Sequence, residues 1–432
     1  MTDPVDGPGS DGDASHPEGQ APGPEPAESQ AVPLLEPRDG LPPLIVTSET
    51  LAEATQRLAS GRGPVAVDAE RASGFRYGHR AFLVQLRRCG AGTVLIDPVA
   101  CPDLSGIDRA LADAEAVIHA ASQDLPCLAD LGYRPRQLFD TELAGRLLGY
   151  PRVGLGTLVE TVLGLTLEKS HSAADWSTRP LPAEWLRYAA LDVEVLVELR
   201  NALAEQLAEQ GKTEWARQEF DAELHAEPAG PRPDPWRRTS GIHRVRSRRG
   251  LAVVRELWQE RDKIARRRDL SPTRVLPDAA IVEAARSLPA DSAGLASIPG
   301  FSTRGARRHT QEWLRALARA RAQPDRALPT VSGAPGDGPP PTHRWPDRDP
   351  DAAARLTAVR AVVAALADQH HLPAENLLPP DAVRRLAWQP PEPLSEQAVS
   401  ASLAGYGARP WQVGLTAPPI AGTLRDTGKA EG

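Results

Sequence analysis

The sequence predicts an α/β domain, a mixed sheet flanked by helices, followed by two small all-α units. Three observations carry this reading. Short apolar runs of strand length come first, and long amphipathic patterns follow beyond Ala120. Farther on, two segments repeat one order of features: an amphipathic helix, a Pro-containing turn and a second helix. "LPDAAIVEA" in the first corresponds to "LPPDAVRRL" in the second.

The elements are taken in order. Residues 1–42 are rich in Gly, Pro and acids with little to bury, which predicts a disordered acidic tail. The α/β domain is expected over 43–225. "PLIVTS" reads as a strand and "SETLAEATQRLAS" as a helix capped by Ser48. Strand runs follow at Val65–Val67, Ala81–Leu86 and Thr93–Ile96, then a helix near Leu104–Ala114 and the strand "AVIHA". "DTELAGRLLGY", "LGTLVETVLG" and "PAEWLRYAALDVEVLVELRNALAEQLAEQG" are helical. The expected boundaries beyond are a linker at 226–245, a helical unit at 246–325, a proline-rich linker at 326–350, a second unit at 351–422 and a tail at 423–432.

Composition fits several compact domains joined by irregular segments: 41% apolar residues, 4% aromatics and 43 prolines in 432 residues. No stretch reaches the about 18 uninterrupted apolar residues of a membrane helix. The N-terminus has no charged and apolar leader pattern, and Cys89, Cys101 and Cys127 form no C-x-x-C pair. A reducing, cytoplasmic location is expected. The net charge of −7 hides an asymmetry. Residues 1–42 carry nine acids against Arg38, whereas 236–326 carry 21 basic against 9 acidic residues. Positive charge concentrated in one module points to nucleic acid.

The chemistry-bearing residues are acids on rigid elements. Asp68 and Glu70 alternate to one face of a strand, their Cα atoms roughly 6.5 Å apart. Two like charges that close repel unless a cation lies between them. Asp124 follows a strand where the chain turns into a helix, and Tyr188 and Asp192 share a helix face at i, i+4. Carboxylate sets of this kind suit two divalent cations, Mg²⁺ or Mn²⁺, which can drive phosphodiester hydrolysis. Each feature alone is common; the ordered set is specific.

The run from about Leu44 to Gly211 resembles the DEDD 3′→5′ exonucleases with a tyrosine in the third motif. Asp68-Ala69-Glu70, Asp124 in "HAASQDLPCL" and Tyr188 to Asp192 carry the likeness. "GLTLEKSHSAADWSTRPL" and "YAALDVEVL" read like ribonuclease D, and the C-terminal units resemble HRDC domains, the second more faintly. The resemblance implies a ribonuclease H-like catalytic sheet and removal of nucleotides from RNA 3′ ends, with precursor tRNA as substrate class and 5′-monophosphates as products. It implies that Asp68 bridges two ions, that Glu70 and Asp192 complete the nucleophile side, that Asp124 holds the second ion and that Tyr188 positions water. The metals offset the repulsion and the sheet edge holds the acids in register. Arg71 departs from the family pattern, where an aromatic or aliphatic residue often follows Asp-x-Glu.

Candidate RNA contacts are Lys169, Trp176 and Arg179 in a polar loop, with Trp176 on a base and Arg179 on a phosphate. Packing of the loop by Trp176 is the competing reading. Arg304 and Arg307 flank the polar turn in "SIPGFSTRGARRH". His119 reads as structural rather than ligating, and Gln85 as either a backbone partner or a substrate neighbour. Two rival functions stay open: the same chemistry on single-stranded DNA, and a non-catalytic RNA-binding protein with a relic nuclease fold. A helicase is excluded by the lack of a G-x-x-x-x-G-K-[ST] loop.

Overall fold

The computed structural model describes residues 31–429 apart from 169, 170, 172, 228, 229, 231, 232 and 332–337. Eight strands occur among them: β1 (Val32–Leu34), β2 (Leu44–Ile45), β3 (Arg62–Arg71), β4 (Ala81–Cys89), β5 (Gly92–Ile96), β6 (Ala116–Ile118), β7 (Leu138–Asp140) and β8 (Leu165–Leu167). Six of them form one mixed sheet in the order β2-β5-β4-β3-β6-β7. β3, β4 and β5 are an antiparallel meander, while β2 runs parallel to β5, β6 to β3 and β7 to β6.

β3 is therefore interior, not at the sheet edge as the sequence suggested. Its apolar run Val65–Val67 is fully buried between β4 and β6. β6 pairs with β3 at Val65 and Ala66, while β4 pairs with it out to Arg71, so the register with β4 fixes which way the polar end faces. The helix Ala183–Glu194 packs across β3, β4 and β5. Its Ala189 and Ala190, both fully buried, let the helix backbone approach the sheet closely. The following helix, Leu196–Glu209, covers β3 and β6 with Leu196, Leu199, Leu203 and Leu207.

Several sequence-based boundaries shift. Residues 1–30 of the expected disordered tail lie outside the described residues, but 32–42 do not fit that expectation: β1 pairs in parallel with β8, and Glu36 and Asp39 form ion pairs with Arg187 and Arg87. The first helix is capped by Thr47 rather than Ser48, since Thr47 Oγ1 accepts from the Thr50 N–H. Trp236 and Trp345 were expected in linkers but are buried in the helical units. Trp236 joins the core of Leu257, Ile281 and Trp313, and the Trp345 indole donates to the Pro340 carbonyl. Burying so large a ring outweighs the local preference of a proline-rich stretch for an irregular chain. The last helix, Pro410–Lys429, runs past residue 422.

Both helical units dock on the α/β domain. The first meets the loop leaving β3: Ser271 N–H donates to the Phe75 carbonyl at 3.0 Å, Tyr77 Oη donates to Asp262 at 2.9 Å, and Arg80 pairs with Asp269 at 2.7 Å. The second shares the α/β domain's core, with Trp215 and Trp411 stacked at 4.7 Å. Lys212 is buried between them and donates to the carbonyls of Leu147 and His370 at 2.7 and 2.8 Å. Lys212→Met takes the Nζ donor from a buried carbonyl at Leu147 and a half-buried one at His370, so the thermal midpoint of the full chain should fall by the equivalent of about 2 kcal/mol. An unchanged midpoint would contradict this docking.

Candidate active site

The site is assembled from the polar end of β3 outward. Asp68 lies directly opposite Gln85 of β4, whose Nε2 donates to Asp68 Oδ2 at 3.1 Å. Gln85 is fully buried, so its amide holds one carboxylate orientation. Asp192 comes from the helix lying over the sheet, one turn beyond Tyr188. One oxygen each of Asp68, Glu70 and Asp192 lies within 4.8 Å of the others. The chain reaches Asp124 through left-handed Ala120 and a short 3₁₀ turn. That turn is tied by Asp140, whose carboxylate accepts from the N–H groups of Ala120 at 3.2 Å and Ala121 at 2.6 Å. Asp124 Oδ1 is buried without a hydrogen bond and lies 3.3 Å from Arg71 Nη2.

Burial and mutual repulsion dominate the electrostatics. Burial pushes Asp68 up to about 6 against the backbone hydrogen bond of Ala69 and the charge of Arg71. Glu70 rises to about 10, from burial first and then the charges of Asp68, Asp192 and Asp124. Asp124 rises to about 8 from burial and Asp68, and Asp192 is held well above the carboxylate range by burial and Asp68. Arg71 opposes the rise at Asp68, Glu70 and Asp124. Burial and Asp192 keep the Tyr188 hydroxyl protonated far into the alkaline range. An all-oxygen donor set with excess negative charge and one carboxylate oxygen free of hydrogen bonds fits hard divalent cations.

Two cavities flank the acids. One of about 360 Å³ is lined by Asp68, His119, Leu167, Tyr188 and Asp192. The other, about 460 Å³, is lined by Glu70, Arg71, Phe75, His79 and Gln123. His119 is fixed by a 2.9 Å contact from Nδ1 to Thr141 Oγ1, and burial lowers its pKa against the pull of Asp140. Asp140 is a supporting residue that sequence reasoning passed over, and Gln85, read there as a backbone partner or a substrate neighbour, instead supports Asp68. Gln85 could have been found by counting across the β3–β4 hairpin; Asp140 gave no signal beyond "FDTELA", a helix-start pattern.

The expected RNA contacts sort differently. Lys169 lies outside the described residues. Trp176 is fully buried against Trp185 and Tyr188, so it packs the loop and offers no face to a base. Arg179 is also a structural residue: it forks onto Asp97 with two 2.7 Å bonds and donates to the carbonyls of Trp176, Thr178 and Phe82. With its donors spent inside the protein, it has none aimed at a phosphate. In the first helical unit, Arg248 and Arg249 donate to carbonyls of residues 320–329, and Arg261 is buried on Asp278. Arg304 and Arg307 are exposed, on a short helix capped by Thr303. Neither forms an ion pair with another described residue.

The buried acids carry a pH signature. Glu70 titrates near its usual 4.5 when unfolded and near 10 when folded. A carboxyl so raised favours the folded state below the unfolded value, and that advantage is lost as pH climbs through this window. In chelator, Glu70→Gln should therefore melt near wild type at pH 4.5 and on the order of 1–3 kcal/mol higher at pH 9. A difference that stays constant with pH would contradict the electrostatic account.

Family models match this chain in three places: 3′-5′ exonuclease over residues 43–208, HRDC domain over 250–317, and 3′ to 5′ exonuclease C-terminal domain over 338–424. The ribonuclease D of Gluconacetobacter diazotrophicus is 34% identical over 361 residues, covering 81% of this chain and 87% of its own. That of Granulibacter bethesdensis is 32% identical over 359 residues, covering 81% and 86%. A crystal structure of a protein from Bifidobacterium adolescentis aligns with a TM-score of 0.83 and 39% identity, over 91% of this chain and 100% of that one. Escherichia coli RNase D shares the fold, with a TM-score of 0.64 and 24% identity over 89% and 98% of the two chains. A sheet carrying convergent acids, an HRDC domain and near full-length similarity lead to one conclusion: the chain belongs to the ribonuclease D family and is a 3′–5′ exoribonuclease.

Proposed function

We propose that this exoribonuclease acts by two-metal-ion hydrolysis, releasing nucleoside 5′-monophosphates one at a time from RNA 3′ ends, with precursor tRNA as its substrate class. The convergence of Asp68, Glu70 and Asp192 within 4.8 Å carries the reading. Asp68 would be shared by both ions, Glu70 and Asp192 would hold the one on the nucleophile side, and Asp124 would hold the other. Divalent ions, Mg²⁺ or Mn²⁺, supply the charge that makes water a nucleophile and stabilises the leaving oxygen. Tyr188, kept protonated, donates a hydrogen bond and so orients the attacking water rather than taking its proton. Gln85 keeps Asp68 in one orientation, and Asp140 keeps the Asp124 turn in place. Membership of the ribonuclease D family supports precursor tRNA as the substrate class. Cytoplasmic residence suits Cys89, Cys101 and Cys127, all unpaired, and no helix among the described residues is long and apolar enough to cross a membrane.

The exposed Arg304 and Arg307 of the HRDC domain would grip RNA phosphates away from the acids. A 5′-labelled, 3′-extended tRNA and a matched single-stranded DNA, each with Mg²⁺, Mn²⁺ or chelator, test the reaction. A metal-dependent ladder shortening from the RNA 3′ end is expected, weakened roughly 10²–10³-fold or more by Asp68→Asn. Equal shortening in chelator would overturn the metal reading, and preference for DNA would overturn the substrate class. Arg304→Ala with Arg307→Ala should weaken RNA binding and flatten its salt dependence by about one to two units of slope. An unchanged slope would remove these arginines from the interface.

A further inference from the structure

Arg71 follows the Asp68–Glu70 pair directly, at a register slip where Glu70 faces Leu83 but Arg71 faces Ala81. Such a slip adds local twist and re-aims a side chain. The Arg71 guanidinium folds over to the Asp124 turn. Nη1 donates to the Gln123 carbonyl, while Nη2 lies 3.4 Å from Gln123 Oε1 and 3.3 Å from Asp124 Oδ1. That last distance exceeds the about 2.7–2.9 Å of a formed charge-assisted hydrogen bond, and Oδ1 has no hydrogen-bond partner. Arg71 is thus tethered to Gln123 and leans on Asp124 without capping it. Its outer edge lines the 460 Å³ cavity beside Glu70, Phe75 and His79. A guanidinium has five N–H donors in a fork that fits phosphate oxygens, so donors remain for that cavity.

We propose that Arg71 is a resident counter-cation for Asp124. It competes with the divalent ion Asp124 would hold, and it turns to a substrate phosphate when one enters the adjoining cavity. Loading of the Asp124 side is thereby tied to the presence of substrate. The proposal rests on the metal reading above. A fixed positive charge repels a divalent ion twice as strongly as a proton, so removing it favours the metal even though it also favours protonation.

The test is calorimetric titration of Mn²⁺ into the full chain, without RNA, in the presence and absence of 5′-AMP as the phosphate probe. Arg71→Gln should bind Mn²⁺ roughly tenfold more tightly than wild type without nucleotide. 5′-AMP, whose phosphate can also ligate the ion, should tighten Mn²⁺ binding several-fold more in wild type than in Arg71→Gln. Arg71→Met replaces the Gln variant, with the same expectations, if that variant melts early. Unchanged or weaker Mn²⁺ affinity in a folded variant overturns the proposal and leaves the metal reading standing. If wild type binds no Mn²⁺, or Asp68→Asn binds it equally well, the metal reading itself falls and takes the proposal with it.

Discussion

The structure depends on one electrostatic constraint: like-charged carboxylates held together on an interior strand. Two unit charges about 4 Å apart repel by roughly 4 kcal/mol at the effective dielectric of a protein surface, and burial adds a desolvation cost. β3 cannot relieve this by turning, because β6 anchors it at Val65 and Ala66 and β4 pairs with it through Asp68, Glu70 and Arg71. Asp192 adds a third charge, brought close by a helix whose buried Ala189 and Ala190 let it lie near the sheet. The surrounding core of Val65, Val67, Leu86, Val117 and Ile118 supplies the apolar burial that makes such a site tolerable.

The supporting residues follow from the same constraint. Gln85 donates to Asp68 and Arg71 leans toward Asp124, so both favour the charged acids. Asp140 spends its carboxylate on backbone N–H groups, fixing the turn from which Asp124 projects. The first helical unit touches the loop that leaves β3, through Tyr77 and Arg80. The element bearing Asp68 and Glu70 is therefore tied at its far end to the HRDC domain. Many arginines of that domain are occupied by partners, and the exposed ones without an ion pair among the described residues include Arg304, Arg307, Arg308 and Arg315.

Much of this was legible in the sequence wherever a short period decides geometry. Strand alternation put Asp68 and Glu70 on one face, and helical spacing put Tyr188 and Asp192 on another. How close these faces lie depends on how the helix bearing Tyr188 and Asp192 packs on the sheet through its buried Ala189 and Ala190, which periodicity does not report. The pairing of Val32–Leu34 with Leu165–Leu167 has no local signature, so the acidic tail was drawn too long. Trp176 and Arg179 show a different limit. An aromatic and a cation in a polar loop suit RNA and loop packing equally, and only burial and the Asp97 pairing separate the two. Trp236 and Trp345 lay in stretches whose prolines outvoted a single large ring.

The central claim is that the repulsion among these acids is resolved by bound divalent cations. Anomalous diffraction from crystals of the full chain soaked in Mn²⁺ and 5′-AMP tests it most directly. The account predicts manganese peaks among Asp68, Glu70 and Asp192 and on the Asp124 side. An ordered cluster with no peak, its carboxyls hydrogen-bonded to one another, would contradict it.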